Sequence, residues 1–206
     1  MTNRSHWEDV YQHKTADQVS WYAPHLQTSL AYIQAASSSP TSSILDIGGG
    51  ESTLVDDLLD SGYASIAVND ISEKALAVCR ERLGSRASRV HWLEGDVLEM
   101  DLPVNQFDVW HDRAVFHFLT EPSQRARYVE QVMHALKEGG WAIVGSFGAN
   151  GPTQCSGLPV QRYTAESLHS QFGDAFELME HKSEHHLTPW GSSQEFVYCL
   201  CRKRAG

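Results

Sequence analysis

Between residues 43 and 147, short apolar runs of β type alternate with stretches of helical periodicity, and this alternation constrains the fold most. "SILDI" (43–47), "ASIAVND" (64–70), "RVHWLEGD" (89–96), "FDVWHD" (107–112) and "WAIVGSF" (141–147) read as strands. "ESTLVDDLLDSG" (51–62) reads as a helix closed by Gly62. Ser72 caps "EKALAVCRERLG", in which Ala75, Leu76, Val78 and Cys79 recur at helical spacing. The pattern of "EPSQRARYVEQVMHALKEGG" predicts a helix over 121–140, with Pro122 in its first turn and glycine at its end. Strands separated by helices predict a parallel sheet covered on both faces.

After Phe147 the pattern changes. The Gly/Pro-rich stretch "GANGPTQCSGLPVQRY" (148–163) precedes a short helix, "TAESLHSQF". "AFELMEHKSEHH" and "SQEFVYCLCRK" follow as two strands joined by "LTPWGS", a link short enough for an antiparallel hairpin. Residues 5–35 form a helical, aromatic-rich preface, tied to the sheet by "ASSSPTSS". There is no internal repeat, and 206 residues suit one domain with a substantial core.

Charge and composition exclude several classes. With 26 acidic and 16 basic residues the formal net charge is −10, which disfavours broad attraction to nucleic acid or an anionic membrane. The one dense basic cluster, Arg202-Lys203-Arg204, reads as a solvated tail. No apolar run approaches the roughly 18 residues of a membrane span. The polar start "MTNRSHWEDVYQHK" lacks a signal-peptide core, so a cytoplasmic location is expected. Cys79, Cys155, Cys199 and Cys201 show no disulfide framework and are expected to be free thiols. Cys199 and Cys201 read as small buried hydrophobes, and the adjacent His185 and His186 face opposite sides of their strand, so no metal site is expected.

In such a sheet, ligands bind beyond the carboxyl ends of the strands. Gly48, Gly49 and Gly50 make the turn after the first strand, where the absence of Cβ admits a ligand against the backbone. Asp70 ends the second strand, where a carboxylate can accept both hydroxyls of a ribose, and Asp96 follows the third beside the same crevice. These positions outline an adenosine site. No Lys-Ser/Thr follows the glycines, as an ATP-type phosphate loop requires, and Thr53 stands where the third glycine of GxGxxG belongs. Asp46, directly before the turn, suits a cationic ligand better than a pyrophosphate; its alternative reading is a cap on the next helix. An adenosine that carries an ammonium and a sulfonium is S-adenosylmethionine.

On these residues the chain resembles the class I S-adenosylmethionine-dependent methyltransferases. The family's D-x-G-x-G-x-S pattern is met by Asp46, Gly48, Gly50 and Ser52, and its strand-end acids by Asp70 and Asp96. "FDVWHDRAVFHFL" and "LKEGGWAIVGSF" are similar to its fourth- and fifth-strand motifs, and the resemblance spans roughly residues 40–147. It implies a Rossmann-like, doubly wound α/β fold: a seven-stranded sheet, mostly parallel, with an antiparallel strand in the C-terminal hairpin. It also implies that Gly48 and Gly50 lie against the methionine portion and that Asp46 supports its ammonium. Asp70 would hold the ribose, Ile71 would pack on adenine, Asp96 would accept from the exocyclic amine, and Val97 would contact a ring nitrogen. The segment "HWEDVYQHKTADQVSWY" is similar to the N-terminal lid of small members, so one domain over 1–206 divides into a lid (1–35), a cofactor-binding core (40–147) and a substrate loop with hairpin (148–206). Trp7, Tyr11, Trp21 and Tyr22 are then the aromatics to close over the cofactor, Tyr22 as its contact; core packing is the alternative for Trp7 and Tyr11.

Methyl transfer is a direct displacement whose cationic leaving group is already activated, so positioning and desolvation supply much of the rate. A base matters only for a nucleophile that arrives protonated. The topology brings 111–118, 147–162 and 185–191 to the carboxyl edge. The first segment offers His117, His111 and Asp112 as catalytic candidates, with His111 also at the methionine end, and Arg113 for an anionic substrate. Cys155, Arg162, His186 and Trp190, with Trp21, complete the candidate substrate contacts. The expected function is methylation of a small-molecule nucleophile, such as a small thiol or sulfide, leaving S-adenosylhomocysteine. The alternative is a protein-lysine methyltransferase, for which the chain lacks the Asn/Asp-Pro-Pro-Tyr motif. The outsider is a non-catalytic S-adenosylmethionine-binding module. The acceptor and the oligomeric state stay open.

Overall fold

A computed structural model describes residues 4–206. Helices α1 (Arg4–His13) and α2 (Gln27–Ala36) precede the sheet. Strands β1 (Ser43–Ile47), β2 (Ser65–Asp70), β3 (Val90–Glu94), β4 (Phe107–Arg113) and β5 (Leu136–Phe147) follow, interleaved with α3 (Leu54–Asp60), α4 (Glu73–Leu83) and α5 (Pro122–Ala135). A two-stranded ribbon, β6 (Gln154–Cys155) and β7 (Leu158–Pro159), and the short α6 (Ala165–His169) lead to the terminal hairpin β8 (Phe176–Leu187) and β9 (Ser193–Lys203). The main sheet has seven strands in the order β3-β2-β1-β4-β5-β9-β8. β1 to β5 are parallel, and β9 runs antiparallel between β5 and β8. This is the architecture the alternation and the hairpin signal imply.

Side chains alternate across the sheet and so feed two cores. Leu45, Ile47, Trp110, Ala142 and Val144 pack with Tyr128, Val132 and Ala135 of α5. Ile44, Ile66, Val109 and Ile143 pack on the other face with Ile33, Leu58, Leu76 and Cys79 of α2 to α4. Because helices cover both faces, all five residues of β1 are buried. All four cysteines are buried and free. Among the described residues, no helix is long and apolar enough to cross a membrane.

One boundary differs from the sequence reading. α5 stops at Ala135, and residues 136–140 are extended rather than helical. Leu136 pairs with Phe107 across a register shift, and the Lys137 ammonium donates to Asp108 at 2.8 and 2.9 Å. Strand pairing thus overrides the helix preference of Leu-Lys-Glu.

Register positions the site. Asp46 lies beside His111 and Ile47 beside Asp112, so the ends of β1 and β4 open onto one crevice. α1 crosses this edge, held by Arg4 to Glu94, by the Glu73 N–H donating to Glu8 (2.8 Å) and by Lys74 donating to Gln12 (2.5 Å).

Candidate active site

The turn after β1 forms the floor of the crevice. Gly48 has φ +62°, and a Cβ there would stand 2.1 Å from a methyl of Val115. Gly50 has φ +43°, and its Cβ would meet the Tyr11 hydroxyl at 2.8 Å. Both positions therefore require glycine, for conformation and for space.

Two adjoining cavities lie on this floor. The outer one is lined by Asn69, Asp70, Ile71, Asp96 and Val97, under Trp7, Phe118 and Leu119. The inner one is lined by Asp46, Gly49, Glu51, Ser52, His111 and Tyr22. Tyr11, Trp21, Ile47, Gly48 and Arg113 border both. The roof is a cluster of rings: Trp7 makes edge-on contacts with Trp21 (5.8 Å between centroids) and Phe118 (5.1 Å).

In the outer cavity, Asn69 donates to the carbonyls of Leu93 and Gly95 (2.9 and 3.0 Å), which locks the ends of β2 and β3 together. Asp70 accepts from the Ser72 N–H at 2.8 Å. Burial pushes its carboxyl up to about 7, against backbone N–H donors that favour the anion. Asp96 accepts from the Leu98 N–H at 3.0 Å. Burial, with Asp70 and Glu51 nearby, holds the Tyr11 hydroxyl well above its ordinary range, so it stays an O–H donor.

In the inner cavity, His111 Nδ1 lies 2.7 Å from Asp46 Oδ1, both buried. A carboxylate only accepts, so Nδ1 carries the proton and donates to it. His111 Nε2 and Glu51 Oε2 are buried without a hydrogen-bond partner. Burial raises the Glu51 carboxyl above its ordinary value, which Arg82 partly offsets.

Arg113 is clamped where the cavities meet. Nε donates to the Tyr198 hydroxyl (2.9 Å), Nη1 donates to the Trp21 carbonyl (2.8 Å), and the guanidinium lies over Phe196 at 4.4 Å. Ala114, at φ +74°, then turns the chain away from β4.

The structure does not bring every sequence candidate here. Asp112 is fully buried, accepting from the N–H groups of Val115 (2.9 Å) and Phe116 (3.1 Å) and from the Tyr128 hydroxyl (2.6 Å). Its carboxyl is pushed up to about 6 by burial, and it braces the turn after β4 instead of facing the cavities. His117 is fully buried between Phe118 and Phe147, and burial pushes it down to about 3. A neutral imidazole locked in the core cannot serve as the base. His186 donates to the Ser20 carbonyl (2.7 Å), and Cys155 lies 4.0 Å from the Ser20 hydroxyl; neither lines the two cavities. Burial pushes the Cys155 thiol up to about 11. Arg162 is exposed and donates to the Gly151 carbonyl (3.2 Å), and Trp190 is 59% exposed at the hairpin tip. Neither lines the two cavities.

The sequence reading missed Glu51, Asn69, Val115 and Phe118. Glu51 carried a signal, an acid directly after three glycines, but the cavity it lines is shared with Tyr11 and Tyr22, far away in sequence.

Known proteins share this domain and this fold. A family model described as a methyltransferase domain matches residues 44–140. The eEF1A lysine and N-terminal methyltransferase of Bos taurus is 30% identical over 136 residues, which is 66% of this chain and 19% of that protein. The chain thus spans about a fifth of the length of such relatives. A structure from work on conversion of a disulfide bond into a thioacetal group in echinomycin biosynthesis superposes with a TM-score of 0.77 at 16% identity, over 98% of this chain and 92% of that one. The 1,6-didemethyltoxoflavin-N1-methyltransferase of Burkholderia thailandensis, with bound S-adenosylhomocysteine, gives 0.69 at 19% identity, over 98% of this chain and 84% of that one. By its motifs, its matching domain and its sheet, the chain belongs to the class I S-adenosylmethionine-dependent methyltransferases.

Proposed function

We propose that the chain transfers the methyl group of S-adenosylmethionine to a small-molecule nucleophile bound beneath the aromatic roof. The observation that carries this is the pair of cavities joined over the glycine floor. The outer takes adenosine, with Asp70 accepting the ribose hydroxyls, Ile71 against the base, and Asp96 with the Val97 amide reading its edge. The inner takes the methionine portion. Its two orphaned buried acceptors, His111 Nε2 and Glu51 Oε2, match an ammonium that has N–H groups to donate. Asp46 acts through His111 by fixing its tautomer. When bound, the donor supplies an activated methyl group; the protein positions it and excludes water.

In this reading α1 and residues up to Tyr22 act as a lid over the core. The inner cavity is about 40 Å³, room for about three waters, so Tyr11 and Trp21 must shift to admit the methionine portion. A roof closed by Trp7, Trp21 and Phe118 suits a compact acceptor. The lysine reading is supported by the named lysine methyltransferase activities of relatives from Bos taurus, Mus musculus and Homo sapiens, and a polypeptide acceptor would need that roof displaced.

Calorimetric titration with S-adenosylhomocysteine and with 5′-methylthioadenosine, which lacks the amino-acid end, tests the assignment. Both should bind, and Glu51→Gln should weaken the first about tenfold while leaving the second unchanged. Release of S-adenosylhomocysteine from S-adenosylmethionine is then followed with small thiols and amines, and with a lysine-bearing peptide. Turnover on the peptide alone would overturn the small-molecule reading, and no turnover on any acceptor would favour a pure binding module.

A pH dependence follows from Asp70. With its carboxyl near 7 it is largely protonated at pH 6, where it offers one acceptor fewer to the ribose. A ligand that binds the ionised form draws off that proton, so affinity rises with pH. S-adenosylhomocysteine should bind about tenfold more tightly at pH 8 than at pH 6, and Asp70→Asn should flatten the profile.

A further inference from the structure

We propose that Arg113 recognises the acceptor as an anion, so that the nucleophile attacks as a thiolate and needs no general base. This rests on the methyltransferase reading above. The sulfonium joins the adenosine and methionine portions covalently, so the methyl group must lie where the two cavities meet. Of the residues bordering both, Ile47 and Gly48 belong to the floor, leaving Tyr11, Trp21 and Arg113 to face an incoming acceptor.

Arg113 has the one fixed positive charge among the residues lining either cavity. Its side chain is 4% exposed, with Nε and Nη1 committed to Tyr198 and Trp21, while Nη2 has no hydrogen-bond partner. The nearest carboxylate oxygen, Glu184 Oε1, stands off at 3.9 Å and belongs to a side chain 25% exposed. A buried guanidinium nitrogen left this way calls for an anionic partner.

The carboxylates of the site do not reverse that preference. Asp46 is engaged by His111, Asp70 by the Ser72 N–H and Asp96 by the Leu98 N–H, and Glu51 lines only the inner cavity. At the junction itself the side chains offer donors: the Tyr11 hydroxyl and the free N–H groups of Arg113. No base stands there, since His117 is in the core and His111 lines only the inner cavity. An amine or alcohol that arrives protonated is therefore badly served, and a lysine ammonium would meet a like charge. For a thiolate the step balances without a proton. A sulfur lone pair forms the bond to the methyl carbon, and the breaking carbon–sulfur bond returns its pair to the sulfonium. The products are a thioether and S-adenosylhomocysteine.

The test uses three small thiols of similar size: mercaptoacetate, 2-mercaptoethanol and cysteamine. Binding to the S-adenosylhomocysteine complex is read from the fluorescence of Trp7 and Trp21, and turnover from S-adenosylhomocysteine release. Mercaptoacetate should bind at least about tenfold more tightly than cysteamine, with the neutral thiol between them. Arg113→Gln should collapse this order to within about threefold, and Arg113→Lys should restore part of it. An equal or inverted order in the wild-type protein overturns the proposal, as does the absence of saturable thiol binding; these hold even if a variant fails to fold. A tenfold loss of S-adenosylmethionine affinity in a folded Arg113→Gln protein would also overturn it, placing the guanidinium on the donor's carboxylate instead. Failure of the wild-type protein to bind S-adenosylhomocysteine would instead sink the methyltransferase reading itself.

Discussion

Replacing Asp70 by alanine is expected to weaken S-adenosylmethionine and 5′-methylthioadenosine alike, by about two orders of magnitude. In the proposed complex the carboxylate accepts two ribose hydroxyls, and hydrogen bonds to a charged group contribute about 1.5–3 kcal/mol each. Asp70, pushed up to about 7 by burial, is partly protonated in the free protein near neutrality, and ionising it on binding offsets part of this. Losing both ligands together separates Asp70 from Glu51, whose replacement should spare 5′-methylthioadenosine. Calorimetry reads both effects, and an Asp70→Ala protein that binds S-adenosylmethionine normally would sink the placement of the ribose. Thermal melting should show little loss in this variant, or even a gain, because a carboxyl with a raised pKa destabilises the fold once it ionises.

Gly48→Ala is expected to lower stability by about 2–4 kcal/mol, about 10 °C in melting temperature for a chain of this size. The new methyl would stand 2.1 Å from Val115, whose branched side chain cannot swing clear as a flexible one would, and φ is +62°. Gly62→Ala is the matched control. Its φ is +87°, but nothing lies within 4 Å of the new Cβ, so it carries only the conformational part, about 1 kcal/mol. Equal melting shifts in the two variants would show that Val115 yields freely.

β1, β2 and β4 were legible because each is a largely apolar run between turn residues, and burial on both faces removes the polar alternation that would blur them. The positions that line the crevice were legible for a related reason. They sit at strand ends and in the glycine turn, where backbone direction alone decides which residues reach the crevice. The side chains after β4 were not legible. Asp112 owes its place to Tyr128, 16 residues away on α5, and His117 owes its own to Phe147 on the neighbouring strand. The left-handed turn at Ala114 breaks the alternation that would have sorted Asp112, Arg113 and His117. The end of α5 was misread for the opposite reason: "LKEGG" has good local helix formers, and only the partner strand shows that they extend.

Because α1 roofs both cavities, donor and acceptor share one doorway. Its polar fastenings include one exposed ion pair, Arg4 to Glu94, which contributes about 0–1 kcal/mol, and hydrogen bonds from the Glu73 N–H to Glu8 and from Lys74 to Gln12. On the proposed lid reading a spent donor leaves past Tyr11, and salt that weakens the Arg4–Glu94 contact should speed release of S-adenosylhomocysteine, read by stopped-flow fluorescence.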